Sequence, residues 1–253
     1  MCGRYASSRR PADLAEEFDI ADVRIPAPLE ADYNVAPTKE VYAVVERAPR
    51  KEPDDAEATP ERQLRVLTWG LVPSWAKDPS IGSRMINARM ETVAEKPAYK
   101  RAFAKRRCLL PADGYFEWYP TSERTKSGKP RKQPFFIRPQ DGGVLAMAGL
   151  YEIWRDPTRS EDDPNRFRWT CTVITTDAED SVGHIHDRMP LMVERERWSS
   201  WLDPRSPQDQ LLDLLVPAAP GRLDAYPVST LVNNVRNNGA ELVAPLPLEE
   251  GGS

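Results

Sequence analysis

Hydrophobic positions along the chain gather in short runs rather than in long amphipathic stretches. VYAVVE (41–46), LRVLTWG (64–70), CLLPADGYFEWY (108–119), PFFIR (134–138), VLAMAGLYEIW (144–154), WTCTVITT (169–176) and PLMV (190–193) read as strands, many of them apolar and bounded by Pro, Gly or Asp, the pattern of buried strands. Polar inserts at 48–63, 120–132 and 155–166 separate them; each reads as a surface hairpin loop, because the strand pattern resumes at once. Helical patterns fall at 11–18, 91–107, 194–202 and 207–216. In the first, Pro11 suits the first helical position and Leu14 and Phe18 share a face; in the last, Ser206 is the expected N-cap with Pro207 at the first helical position. The tail LPLEEGGS reads as frayed. The expectation is an α+β fold: a single domain over 1–243 and a flexible tail over 244–253. Its core is a strongly bent, mostly antiparallel, barrel-like β-sheet with flanking helices.

Composition sharpens this picture. Proline, at 25 of 253 residues, is about twice its usual share and favours a turn-rich architecture. Apolar residues at 40% and charged residues at 29% fit a soluble globular protein with a sizeable core. No apolar run approaches the ~18 residues of a membrane span, and the opening MCGRYASSRRPADL has no apolar signal region; a cytoplasmic protein without a membrane partner is expected. The net charge of −4 excludes polyanion binding by bulk charge and leaves room for a local basic groove. KPAYKRAFAKRR (96–107) holds six basic residues and no acid; at helical spacing Lys100, Arg101 and Lys105 fan over one side while Tyr99, Ala102 and Phe103 face the core.

The three cysteines, Cys2, Cys108 and Cys171, form no CxxC pair, so neither a disulfide framework nor a structural zinc site is expected. Histidine occurs only at His184 and His186, and HExxH is absent. No metal and no cofactor is expected.

Cys2 stands out by position. Removal of Met1 would leave it with a free α-amine and a thiol on adjacent carbons. Such a 1,2-aminothiol condenses with an aldehyde to an imine, which the thiol closes to a five-membered thiazolidine. With a pKa of about 7.8, roughly 14% of an α-amine is neutral at pH 7, against about 0.04% of a lysine.

The blocks MCGRY, NVAPT (34–38), WGLVPSWAKD (69–78), INARMET (86–92), PADGYFEW (111–118), KQPFFI (132–137), IHDRMP (185–190) and NNVRNNGAEL (233–242), in this order, resemble the SOS response-associated peptidase (SRAP) family of abasic site processing proteins. The resemblance runs from residue 2 to about 242. It implies an SRAP-like fold, removal of the protein's own Met1, and binding of single-stranded DNA at an abasic site. It also implies a covalent thiazolidine cross-link through Cys2 that shields the lesion in the DNA damage response. Asn87, Glu117 and His186 fall on the family's remaining active-site positions, and Arg4, Arg89 and Arg188 on positions that hold DNA phosphates. Bacterial members often carry paired tryptophans after the WG-x-x-P turn; this chain reads Pro73-Ser74-Trp75-Ala76, leaving Trp75 as the aromatic for base stacking. A monomer without metal or cofactor, nucleoid-associated when bound to damaged DNA, is expected.

Chemistry suggests roles at these positions. Opening the abasic sugar ring needs a proton at O4′, and a desolvated Glu117 would stay partly protonated and supply it. His186 titrates near neutrality and can shuttle a proton or donate to the sugar hydroxyl; His184, two residues away, is left structural. Asn87 both donates and accepts hydrogen bonds and can orient the Cys2 amine or the sugar. Trp69 is expected in the core. Two other readings use the same residues. One is a cysteine hydrolase with Cys2 as thiolate, His186 as base and Asn87 as oxyanion donor. The other is a plain single-strand-binding module in which Cys2 is incidental. Weak lyase activity by β-elimination from the imine is also compatible.

Overall fold

The computed structural model describes residues 2–47 and 59–247. The chain runs through β1 (Tyr5–Ser7), α1 (Pro11–Glu17), β2 (Asp22–Val23), β3 (Asp32–Val35), β4 (Glu40–Arg47), β5 (Glu61–Trp69) and β6 (Asn87–Arg89). It continues through α2 (Lys100–Lys105), β7 (Arg107–Ala112), β8 (Gly114–Arg124), β9 (Pro130–Pro139), β10 (Leu145–Arg155) and β11 (Phe167–Asp177). The last elements are α3 (Asp180–Gly183), β12 (Arg188–Pro190), α4 (Trp198–Leu202), α5 (Gln208–Asp213) and β13 (Leu223–Pro227).

Strands β11, β10, β7, β4 and β5 hydrogen-bond in that order, and β5 returns to β11 in parallel (Thr170 opposite Thr68, Cys171 opposite Trp69), closing a barrel. A second, antiparallel sheet runs β13-β9-β8-β1-β3. The fold is thus the α+β arrangement around a bent, barrel-like core that the pattern predicts.

The barrel strands are buried on both faces, which explains why their sequences read as continuous apolar runs rather than alternating ones. One face of each points inward: Val41, Ala43 and Val45 of β4, Leu67 and Trp69 of β5, Cys108 and Leu110 of β7, Met147 and Tyr151 of β10, Cys171 and Val173 of β11. The alternate residues, among them Tyr42, Val44, Leu109, Ala148, Leu150 and Ile174, pack against Leu14, Phe18, Phe103, Trp198 and Trp201 from the helical side. At Gly149 a Cβ would sit 2.9 Å from the Cys108 sulfur and 3.0 Å from the Thr172 carbonyl oxygen, so the barrel closes around a position that admits no side chain.

Several expectations are corrected. CLLPADGYFEWY is not one strand: it bends at Asp113, and β7 and β8 lie in different sheets. Asp113 accepts from the Ser8 backbone and from Arg9, which holds the corner. The helix expected over 91–107 is reduced to a 3₁₀ turn at Met90–Thr92 and the six residues of α2; Pro97 between them lacks the donor a continuous helix needs. The patterns at 194–202 and 207–216 likewise shorten to α4, preceded by the 3₁₀ turn Arg195–Arg197, and α5. Pro207 is extended (φ −70°, ψ 155°) and caps α5, while the Ser206 hydroxyl bonds the Ser200 carbonyl instead. Finally, PLMV is not a regular strand, since β12 ends at Pro190. The insert 120–132 is mostly strand: β8 and β9 run through it to a tight turn around Gly128. The insert 155–166 is a surface loop joining the antiparallel strands β10 and β11, as expected; the insert 48–63 and the frayed tail fall largely outside the described residues.

Candidate active site

Cys2 is fully buried, immediately before β1, which is wedged between β3 and β8. Its carbonyl oxygen accepts a 2.7 Å hydrogen bond from Nδ2 of Asn87, and its thiol donates to the Arg4 carbonyl at 3.8 Å. Burial, reinforced by the Glu117 carboxylate, pushes the Cys2 thiol well above its ordinary pKa, so the resting sulfur is protonated. Asn87 comes from β6, which runs parallel to β11 with Asn87 opposite Val173. That crossing is fixed by the Ile86 carbonyl, which accepts from both the Trp69 indole (2.9 Å) and the Val173 backbone (3.0 Å). Trp69 is thereby a core residue, as expected. The Asn87 side-chain oxygen is buried and accepts no hydrogen bond among the described residues.

Glu117 lies in β8, where side chains alternate: Phe116 packs against Phe136 on one side of the sheet, and Tyr115 and Glu117 face the other. Glu117 is 4% exposed, and desolvation raises its pKa to about 7. His186 follows α3 in a turn, not a strand, so His184 does not share its face; His184 is exposed. The His186 Nδ1 accepts from the Arg188 backbone N–H at 3.0 Å, and its pKa is lowered, burial being the largest cause. The Asp187 carboxylate lies 2.9 Å from the same nitrogen, which would favour an imidazolium. Asp187 itself is largely exposed, and a backbone donor at Nδ1 fits a neutral ring that carries its proton on Nε2. Lys132 and Asp187 act electrostatically on both Glu117 and His186, which puts the two at one locus. Cys2, Asn87, Glu117 and His186 are thus gathered from the chain's start, β6, β8 and the turn before β12.

The other expected positions are spread around this locus. Arg89 is exposed and shares a face of β6 with Asn87. Trp75 is 61% exposed on the loop after β5; that loop begins at Gly70 (φ +129°), where a Cβ would strike the Gly82 carbonyl at 2.7 Å. Arg4 reaches Asn34 Oδ1 (2.6 Å) and the Val232 carbonyl (2.9 Å) and lies over Trp118. Arg188 grips Glu91 (2.7 Å), Asp177 (2.6 Å) and the Thr175 carbonyl (2.7 Å) through its two Nη atoms, while its Nε is buried without a partner among the described residues. In the basic stretch, Lys100, Arg101 and Lys105 are exposed and Tyr99, Ala102 and Phe103 buried, as expected. Arg107 is buried, donating to the Trp201 and Phe103 carbonyls at 2.6 Å.

Sequence reasoning gave no role to three residues. Tyr115, two before Glu117 on the same face, is fully buried, and its hydroxyl has no hydrogen-bond partner among the described residues; strand alternation is the available signal. Lys132 opens the KQPFFI block but otherwise reads as one cation of a polar insert. Asn34 is a buried hub whose amide donates to the carbonyls of Val232, Asn234 and Asn237. It explains why NVAPT and NNVRNNGAEL occur together: the second clasps the first. A cavity of about 500 Å³ lined by Leu145, Met189, Met192, Trp198 and Leu223 is not bordered by Cys2, Asn87, Glu117 or His186, and its arginines are paired, Arg195 with Glu17 and Arg222 with Glu194. Among the described residues all three cysteines are free and buried, no group of three His, Cys, Asp or Glu could hold a metal, and no helix is long and apolar enough to cross a membrane.

The fold and sequence have recognisable relatives. Residues 1–235 match the family model described as SOS response associated peptidase (SRAP). The chain is 36% identical over 244 residues to abasic site processing protein YoaM of Bacillus subtilis, covering 96% of this chain and 97% of that one. It is 32% identical to abasic site processing protein YedK of Escherichia coli (97% and 100% covered) and 34% identical to abasic site processing protein HMCES of Gallus gallus (98% and 79% covered). A crystal structure of a protein from Bacteroides thetaiotaomicron superposes with a TM-score of 0.77 over 97% of this chain at 24% identity, a likeness of fold. The chain belongs to the SRAP family.

Proposed function

We propose that this protein processes abasic sites in single-stranded DNA, capturing the ring-opened sugar as a thiazolidine on Cys2 after Met1 has been removed. The observation that carries the reading is the placement of Cys2: a cysteine at the second position, buried, tethered through its carbonyl to Asn87 and set beside a carboxyl group whose pKa is about 7. The names of the relatives, abasic site processing proteins, support the same substrate.

The chemistry follows from these groups. Protonated Glu117 delivers a proton to the sugar O4′ as the ring opens to the aldehyde. The Cys2 amine adds to C1′, and the carbinolamine loses water to give the imine. The sulfur then bonds to C1′, the C=N electron pair moves to nitrogen, and the thiol proton ends there. The balance is aldehyde plus aminothiol to thiazolidine plus water. A neutral His186 with its proton on Nε2 donates to the sugar hydroxyl. Asn87 holds Cys2, and its free side-chain oxygen accepts from the substrate. Exposed Trp75 offers a stacking face worth about 1–3 kcal/mol, and Arg89 an unburied guanidinium for phosphate. The raised thiol pKa favours this reading over a thiolate hydrolase, which needs the sulfur ionised at rest.

Intact mass of the purified protein, before and after incubation with an abasic single-stranded oligonucleotide, tests the proposal. The expected result is loss of Met1, then a gain equal to the oligonucleotide minus one water, absent in Cys2→Ala. Retained Met1, an acetylated amine, or no adduct on abasic DNA would refute it.

A further inference from the structure

The arm formed by the outer halves of β8 and β9 has no part in the chemistry above. Residues 120–132 contain Arg124, Lys126, Lys129, Arg131 and Lys132 against a single acid, Glu123, a net charge of +4 in a chain whose total is −4. From Ser122 to Lys132 every residue is exposed. The arm is an ordered ribbon: Arg124 pairs with Pro130, and the turn is closed by bonds between Thr125 and Lys129 and between Gly128 and Thr125. Arg131 meets Glu123 at 3.4 Å, and an Arg124 Nη donates to the Gly128 carbonyl; the exposed ion pair is worth little in water. Basic residues on exposed strands also discourage edge-to-edge association, which would account for isolated lysines.

Position argues for more. The ribbon is the direct continuation of the strand that carries Glu117, and Lys132 at its base acts on both Glu117 and His186. From Tyr119 to the turn is about six residues, or ~20 Å at the rise of a strand. A positive rail of that length begins at the candidate site and leads away from it.

We propose that this β-ribbon binds the phosphodiester backbone of the captured strand on one side of the lesion. The inference rests on the reading of the site as an abasic-DNA site. The contacts are charge pairs without base recognition, so they add affinity and salt dependence rather than sequence preference.

The test compares wild type with the R124Q/K126Q/K129Q/R131Q variant and with a charge-keeping R124K/K126R/K129R/R131K variant. Lys132 stays in place because it belongs to the site. Binding of an undamaged single-stranded oligonucleotide is measured against salt, and the rate of adduct formation on abasic DNA at saturation. At about −0.7 per phosphate neutralised on a single strand, the glutamine variant should flatten the slope of log K against log salt by up to ~3. It should bind at least tenfold more weakly at low salt and form adduct at the wild-type rate once saturated. The charge-keeping variant should match wild type. An unchanged slope in the glutamine variant, or an equal loss in the charge-keeping one, would overturn the proposal. If wild type forms no adduct yet the slopes differ as stated, the ribbon stands and the capture reading falls.

Discussion

Asn87 and Cys2, 85 residues apart in sequence, are joined by one hydrogen bond of 2.7 Å from the asparagine amide to the cysteine carbonyl. A side chain on a barrel-associated strand thereby sets the direction in which the first residues of the chain point. Asn87→Ala removes this tether. Misplacement of a reacting group by about 1 Å can cost ~100-fold in rate, whereas one hydrogen bond contributes only about 1 kcal/mol to stability. The expected outcome is a 10- to 100-fold slower adduct formation with a nearly unchanged melting temperature. A rate within twofold of wild type would mean that the tether is not used.

Glu117 gives the protein a distinctive response to pH. Its pKa rises from 4.5 to about 7 on folding because it is desolvated. Between these values the folded state holds more protons than the unfolded one, so stability falls as pH rises from about 4.5 to about 7 and then levels off. Melting curves of wild type minus Glu117→Gln isolate that slope, and a flat difference would contradict it. The adduct rate should be bell-shaped near neutrality, since the acid must keep its proton and the amine must lose one. Glu117→Gln should leave only the rising limb, about 10²- to 10⁴-fold lower.

His186 accepts from the Arg188 backbone at Nδ1, which places its proton on Nε2. Nitrogen-15 spectra at pH 7 should show an unprotonated Nδ1 and a protonated Nε2. Because burial lowers its pKa below 6.5, this histidine supports stability above that value, and the contribution is lost as pH falls toward the folded pKa. A doubly protonated ring at pH 7 would show that Asp187, not the backbone contact, sets the charge of the ring.

Arg107 is buried, with a pKa lowered to about 10 mainly by desolvation, and it caps carbonyls of Phe103 and Trp201. Arg107→Met leaves those acceptors unpaired and should cost about 2–5 kcal/mol in denaturant unfolding. Adduct formation per folded molecule should be unchanged. A large fall in single-strand affinity instead would make Arg107 a phosphate ligand.

The sequence was informative where burial repeats along an element. Strands β4, β5, β10 and β11 carry nearly unbroken apolar runs because both faces are covered, and such runs are readable without a partner. Helix α2 was overread: Tyr99, Ala102 and Phe103 have helical spacing, but Pro97 stops the helix from extending back to residue 91. The corner at Asp113 escaped because it depends on Ser8 and Arg9, far away in sequence. The candidate site was legible through Cys2, Asn87, Glu117 and His186, each standing in a recognisable block. The engagement of Arg188 with Glu91 and Asp177, the three carbonyl partners of Asn34 and the Tyr115 hydroxyl's lack of a partner among the described residues arise only in three dimensions.

Chain ends are ordinarily the first parts of a protein to loosen. Here β1 begins three residues after Cys2 and is flanked on both sides, by β3 and β8. The segment carrying the cysteine therefore cannot fray without parting β3 from the rest of a five-stranded sheet. The backbone just after Cys2 is thereby denied the local fraying usual at a chain end, and amide hydrogen exchange at Tyr5 should be as slow as in the barrel strands.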